Sequence, residues 1–231
     1  VAKAFFGEDV EAEALKRIVE DTLSFDTPTV KVEGNIYTLE LFHGPTLAFK
    51  DVGARFMARL LQYFINKDKN STGLVNVLVA TSGDTGSAVA NGFLGVDGIH
   101  VYVLYPKGKV SAIQESQFTT LGRNITAIEV DGVFDDCQAL VKNAFMDQQL
   151  NEHMRLTSAN SINVARFLPQ AFYYFNAFAQ LKRAGIIDYD AENGTSNLVF
   201  SVPSGNFGNI TAGLFGWKMG LPVKHFIAAN N

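Results

Sequence analysis

Short apolar runs alternating with stretches of helical spacing constrain this chain more than any other feature. LVNVLVA at 74–80, IHVYVLY at 99–105, ITAIEV at 125–130, NLVFSV at 197–202 and VKHFIA at 223–228 read as buried parallel strands. Helical stretches lie between them at roughly 51–66, 86–95, 111–121, 134–150, 162–184 and 208–219. Upstream, Val10, Ala14, Leu15, Ile18 and Val19 recur at helical spacing, while IYTLELF at 36–42 alternates like a strand. NSTG at 70–73 and DAENGTS at 190–196 read as surface turns. Strands alternating with helices in this way predict an α/β class with doubly wound, mostly parallel sheets.

Composition narrows the function. The 231 residues are 47% hydrophobic and 18% charged, with a formal net charge of −4, which fits a soluble globular chain of one or two domains. Slight acidity without a run of Lys or Arg argues against nucleic acid or a membrane surface as the main partner and for small-molecule chemistry. Cys137 is the single cysteine, so an internal disulfide framework and a cysteine-rich zinc site are both excluded, and a reducing, cytoplasmic setting is expected. His100, His153 and His225 lack metal-ligand spacing, so no metal is expected. No stretch approaches the roughly eighteen apolar residues of a membrane span, and no targeting segment is visible. The chain opens on Val1 and stops at Asn231 soon after VKHFIA, so a truncated chain is the expectation.

In an α/β sheet, ligands bind where strands end and helices begin. One such turn follows LVNVLVA, where Thr81, Ser82, Gly83, Asp84, Thr85 and Gly86 bring hydroxyls and backbone N–H groups to a helix N-terminus suited to a carboxylate or phosphate. Another follows NLVFSV, where Ser204, Gly205, Asn206, Phe207, Gly208 and Asn209 make a glycine-rich turn suited to a phosphate. Neither turn matches the dinucleotide or P-loop fingerprint. Glycine and serine also close such turns for steric and capping reasons alone. The segment HGPTLAFKD at 43–51 adds Lys50 at the start of a helix, where the positive end of the macrodipole disfavours an ammonium and makes the amine a better nucleophile. A lysine amine that condenses with an aldehyde, together with a phosphate turn, suits pyridoxal phosphate.

Taken in order, LELFHGPTLAFKD, ATSGDTGSA, LYPKGKVS, NSINVAR and VPSGNFGN are similar to the motifs of the threonine synthase family of fold-type II pyridoxal-phosphate enzymes, a resemblance that runs from about Leu39 to the C-terminus. The resemblance implies the tryptophan synthase β-like fold, with residues 1–38 and 156–231 in an incomplete large domain and 39–155 in a smaller one. It implies that Lys50 is the catalytic, cofactor-linking lysine and that Gly205, Asn206, Phe207, Gly208 and Asn209 hold the cofactor phosphate. Asp84 would lie beside the cofactor 3-hydroxyl. Ser82 and Thr85 would hold the substrate carboxylate, and Asn160, Ser161, Asn163 and Arg166 the substrate phosphate. Lys107, Lys109 and Ser111 would either assist phosphate binding or form a solvated basic turn.

The implied reaction converts O-phosphohomoserine and water to threonine and phosphate by γ-elimination and β-addition, in a monomer or homodimer. Two alternatives stand beside it. One is a related phospholyase acting on another phosphorylated amino acid; the other is a catalytically inactive fragment with an interaction role. His43 reads as a hydrogen-bonded structural histidine, and AFYYFNAF at 171–178 as core or subunit packing inside a long helix.

Overall fold

A computed structural model describes residues 1–68, 73–161 and 163–230, so residues 70–72 of the expected NSTG turn and Ile162 of NSINVAR lie outside the described residues. The chain divides into two compact units, one made of Val1–His43 with Val164–Asn231 and the other of Gly44–Asn163.

The discontinuous unit opens with α1 (Ala2–Phe6), α2 (Ala12–Thr22) and an antiparallel hairpin of β1 (Thr29–Glu33) and β2 (Ile36–Leu39). The helical spacing seen in the sequence turns Leu15 and Ile18 of α2 inward. Gly34 makes the hairpin turn at φ 51°, in the left-handed region that glycine enters without a Cβ penalty.

The continuous unit follows, with α3 (Lys50–Lys67), β3 (Val75–Ala80), α4 (Asp84–Phe93), β4 (Ile99–Pro106), α5 (Ala112–Thr119), β5 (Ile125–Val130), α6 (Phe134–Met146), α7 (Gln148–His153) and β6 (Arg155–Ser158). Its sheet is four-stranded and wholly parallel, in the order β5-β4-β3-β6. All six residues of β3 are buried, as expected for a strand covered on both faces. Leu78, Ala80 and Leu104 pack with Cys137 and Val141 of α6 on one face. Val77, Val79, Val101 and Val103 alternate with them, and Gly86 of α4 sits so close to Val103 that a Cβ there would collide with it. The sheet is therefore a filled layer between α4 and α6.

The chain returns to the first unit with α8 (Val164–Phe167), a 3₁₀ turn over Leu168–Gln170, α9 (Ala171–Arg183), a short hairpin of β7 (Tyr189–Asp190) and β8 (Thr195–Ser196), β9 (Val199–Pro203), α10 (Gly208–Lys218) and β10 (His225–Ala229). β9 and β10 pair in parallel. Tyr174 of α9 packs edge-on to Phe200 at 4.9 Å between ring centres, and Phe226 stacks on Phe200 at 5.9 Å. Asn176 and Gln180, one turn apart on α9, donate to Oγ1 and the carbonyl of Thr27, each at 2.9 Å, anchoring the segment that enters β1.

Two of the expected helices are divided. The stretch 162–184 is split at Pro169, whose missing N–H leaves a 3₁₀ turn between α8 and α9. The stretch 134–150 ends at Met146, because Asp147 turns extended and caps α7 by accepting from the Leu150 N–H at 2.9 Å. β6 escapes the sequence pattern because it is a four-residue edge strand, RLTS, with one strongly apolar side chain. Asp135 and Asp136 stand in the first turn of α6, and Asp136 Oδ2 accepts from the Val133 N–H at 2.8 Å. Among the described residues, no helix is long and apolar enough to cross a membrane.

Candidate functional site

Within the continuous unit, Lys50 is the first residue of α3. The turn before it is tight: the Leu47 N–H donates to the Gly44 carbonyl at 3.1 Å, and Leu47 takes φ 59°, a strained value for a leucine. Asp51 holds this turn, accepting from the Thr46 N–H at 2.9 Å and the Thr46 hydroxyl at 2.5 Å. Burial raises the Asp51 carboxyl above its ordinary value, opposed by the bonds from Thr46 and Ala48 and by the charge of Arg55.

The turn after β3 meets this lysine. Lys50 Nζ lies 3.6 Å from Asp84 Oδ2, at the N-terminus of α4. Thr81, fully buried, accepts through Oγ1 from the N–H groups of Gly83 at 3.0 Å and Gly86 at 2.7 Å, so one hydroxyl sets the path of the whole turn. Gly83 takes φ 144°, and a Cβ there would collide with the Gln114 carboxamide. The same carboxamide donates from Nε2 to Asp84 Oδ1 and accepts from the Ser111 hydroxyl at 3.1 Å. Ser82 is exposed and Thr85 half-buried on this turn.

The segment after β6 leaves the sheet beside β3, with Leu78 paired to Ser158. Asn163 Nδ2 donates to the Ser158 carbonyl at 3.0 Å, and the Asn160 N–H to the Ser158 hydroxyl at 3.2 Å. Asn160 is exposed and Ser161 half-buried. Lys107 pairs with Glu129 at 3.5 Å while 65% exposed, as in a solvated basic turn. Ser111 caps α5. His43 hydrogen-bonds Glu40 at 2.7 Å, the structural pairing expected of it.

In the discontinuous unit, β9 runs into the glycine turn and α10 begins at Gly208. The N–H groups of a helix's first turn have no intrahelical acceptor, so this turn ends in a set of donors. A Cβ on Gly205 would meet nothing within 4 Å, so the turn opens on free space, and Gly205, Asn206 and Phe207 are exposed. Asn209 Oδ1 receives the hydroxyls of Tyr173 at 2.7 Å and Tyr174 at 2.8 Å. Arg166, on α8, is 2% exposed, and burial lowers its pKa to about 10. Gln170 Nε2 donates to its carbonyl at 3.4 Å.

The structure thus brings Lys50 and Asp84 together, and Ser158, Asn160 and Asn163 together. It also adds residues that the sequence reading passed over as site residues. The Ser111-x-x-Gln114 spacing of a capping box was the available signal for Gln114; Asp51 and Thr46 carried none. Among the described residues, no group of three His, Cys, Asp or Glu side chains is arranged to hold a metal.

Residues 22–231 match the family profile described as pyridoxal-phosphate dependent enzyme. The chain belongs to this family. It is 52% identical over 231 residues to threonine synthase of Serratia marcescens and 50% identical to that of Escherichia coli K12, covering 100% of this chain and 51% of each relative. The chain therefore spans about half the length of the curated relatives it matches. Its fold is that of the Escherichia coli threonine synthase crystal structure at TM-score 0.86 and 50% identity, covering 99% of this chain and 50% of that one. The PLP-bound threonine synthase from Brucella melitensis aligns at TM-score 0.87 and 39% identity, over 100% of this chain and 48% of the other. Escherichia coli diaminopropionate ammonia lyase, at 15% identity and TM-score 0.65, shares the fold alone. Each unit by itself offers groups that fit part of pyridoxal phosphate: the continuous unit an amine for the aldehyde with a carboxylate 3.6 Å away, the discontinuous unit an open donor turn for a phosphate.

Proposed function

We propose that this protein is a threonine synthase, converting O-phosphohomoserine and water to threonine and phosphate with pyridoxal phosphate bound. The observation that carries the reading is Lys50 at the head of α3, 3.6 Å from Asp84, in a chain 52% identical throughout to a threonine synthase. Bound pyridoxal phosphate supplies an electron sink for charge developing at the substrate carbons.

The protein's own groups do the rest. Lys50 holds the cofactor and moves protons at the substrate carbons. Asp84 would position Lys50 Nζ and would accept a hydrogen bond from the cofactor 3-hydroxyl, while Gln114 and Thr81 keep its turn in place. Ser82 and Thr85 offer hydroxyls to the substrate carboxylate. Asn160, Ser161, Asn163 and Arg166 offer amide, hydroxyl and guanidinium donors to the substrate phosphate, for which an arginine fork is well suited. The Gly205–Asn209 turn takes the cofactor phosphate on backbone N–H groups and the Asn209 amide. The discontinuous unit corresponds to the large domain and the continuous unit to the smaller one. A single buried cysteine, Cys137, supports a cytoplasmic setting, and the protein works as a monomer or homodimer.

The test is product identity. The full natural protein, given pyridoxal phosphate and O-phosphohomoserine, releases phosphate and threonine in equal amounts. Phosphate released with a keto acid in place of threonine would reassign it as a phospholyase, and no phosphate release at all would remove the enzymatic reading.

A further inference from the structure

We propose that Tyr173 and Tyr174 are positioning residues that lock the Asn209 carboxamide with its NH₂ end turned away from α9 and available to a phosphate oxygen. The proposal rests on the reading of the Gly205–Asn209 turn as the cofactor phosphate site. Neighbouring residues on a helix point about 100° apart, so two consecutive tyrosines do not ordinarily meet one acceptor. Here both hydroxyls reach Asn209 Oδ1, at 2.7 and 2.8 Å. Both side chains are buried, at 1% and 2% exposed, whereas Asn209 is half-buried at the mouth of the turn.

Bond lengths decide the orientation. Each hydroxyl has one hydrogen, and a carboxamide oxygen has two lone pairs. The Tyr173 hydroxyl also lies 3.1 Å from Gln170 Oε1, and the Tyr174 hydroxyl 3.2 Å from the Asn209 carbonyl, both longer than the contacts to Oδ1. The shorter pair has the length of O–H···O bonds and is short for N–H···O, so both hydrogens go to Oδ1. With Oδ1 saturated, Nδ2 and its two hydrogens must face the other way. The inverted amide would aim its oxygen at the turn and repel a phosphate dianion. Burial raises both tyrosine hydroxyls above their ordinary range, which keeps them protonated donors at neutral pH.

The test compares pyridoxal phosphate with pyridoxal, which lacks the phosphate, in the full natural protein. Dissociation constants for each are read from protein fluorescence in wild type, Tyr173→Phe, Tyr174→Phe, the double variant and Asn209→Asp, alongside melting curves and the ³¹P shift of the bound cofactor. The double variant should bind pyridoxal phosphate about ten- to a hundredfold more weakly, the effect of two hydrogen bonds. Its ³¹P signal should move, and its pyridoxal affinity should stay within about twofold of wild type, well under one hydrogen bond. Asn209→Asp keeps an acceptor for both hydroxyls and loses the NH₂ donors, so it should melt like wild type yet lose pyridoxal phosphate selectively.

Equal losses for the two ligands, or unchanged pyridoxal phosphate affinity in the double variant, would overturn the proposal. If the tyrosine variants fail to fold, Asn209→Asp decides by the same comparison. If wild type itself shows no preference for pyridoxal phosphate over pyridoxal, the phosphate reading of the turn fails and the proposal falls with it.

Discussion

Lys50 owes its place to the turn that leads into α3. Asp51, 1% exposed, ties the Thr46 N–H and hydroxyl to the first turn of α3, and so sets where the lysine leaves the loop. Nothing in HGPTLAFKD marks that aspartate as different from an ordinary acidic first-turn residue, so the lysine was legible in the sequence and its support was not. The consequence is measurable in pH. A carboxyl raised by burial contributes stability that is fully present below its ordinary value of 3.8 and is lost as pH rises through the raised folded value. Asp51→Asn keeps both bonds to Thr46, with the hydroxyl reversing to accept, and removes that titration. The stability of the variant relative to wild type should therefore climb as pH rises from below 3.8, then level off above the raised value. Urea unfolding across a pH series checks this, and a flat or falling difference would contradict it.

At the scale of elements, β3, its turn and α4 form one device. The strand brings Thr81 to the C-terminal end of the sheet, the Thr81 hydroxyl holds Gly83 and Gly86, and α4 starts with Asp84 beside Lys50. The run of apolar residues made β3 legible to within one residue, because burial on both faces demands it. β6 and the division of 162–184 at Pro169 were not, since an edge strand needs little apolar surface and helical spacing continues across the break. The tyrosines of α9 looked like packing residues because their rings do pack; only the convergence of their hydroxyls on Asn209 separates the two roles. Gly83→Ala tests the device. At φ 144°, with the Gln114 carboxamide in the way, a methyl group should cost about 1–3 kcal/mol of stability and loosen Asp84. Denaturant midpoints give the first quantity and cofactor affinity the second. Wild-type values for both would mean that the turn adjusts freely.

For the whole molecule, one chain supplies two separately built sets of groups: an amine and carboxylate on a parallel α/β sheet, and a donor turn at the head of α10 in the discontinuous unit. The five motifs in order made the family legible across most of the chain, because each lies in a turn between a strand and a helix, where glycine, hydroxyl and amide residues make a distinctive pattern. The supporting residues follow no such spacing, being chosen by the packing around them. The central claim is that Lys50 carries the cofactor. The full natural protein loaded with pyridoxal phosphate, reduced with borohydride, digested and mapped by mass spectrometry should carry the pyridoxyl group on the peptide containing Lys50. A label on another lysine, or none, would contradict the account.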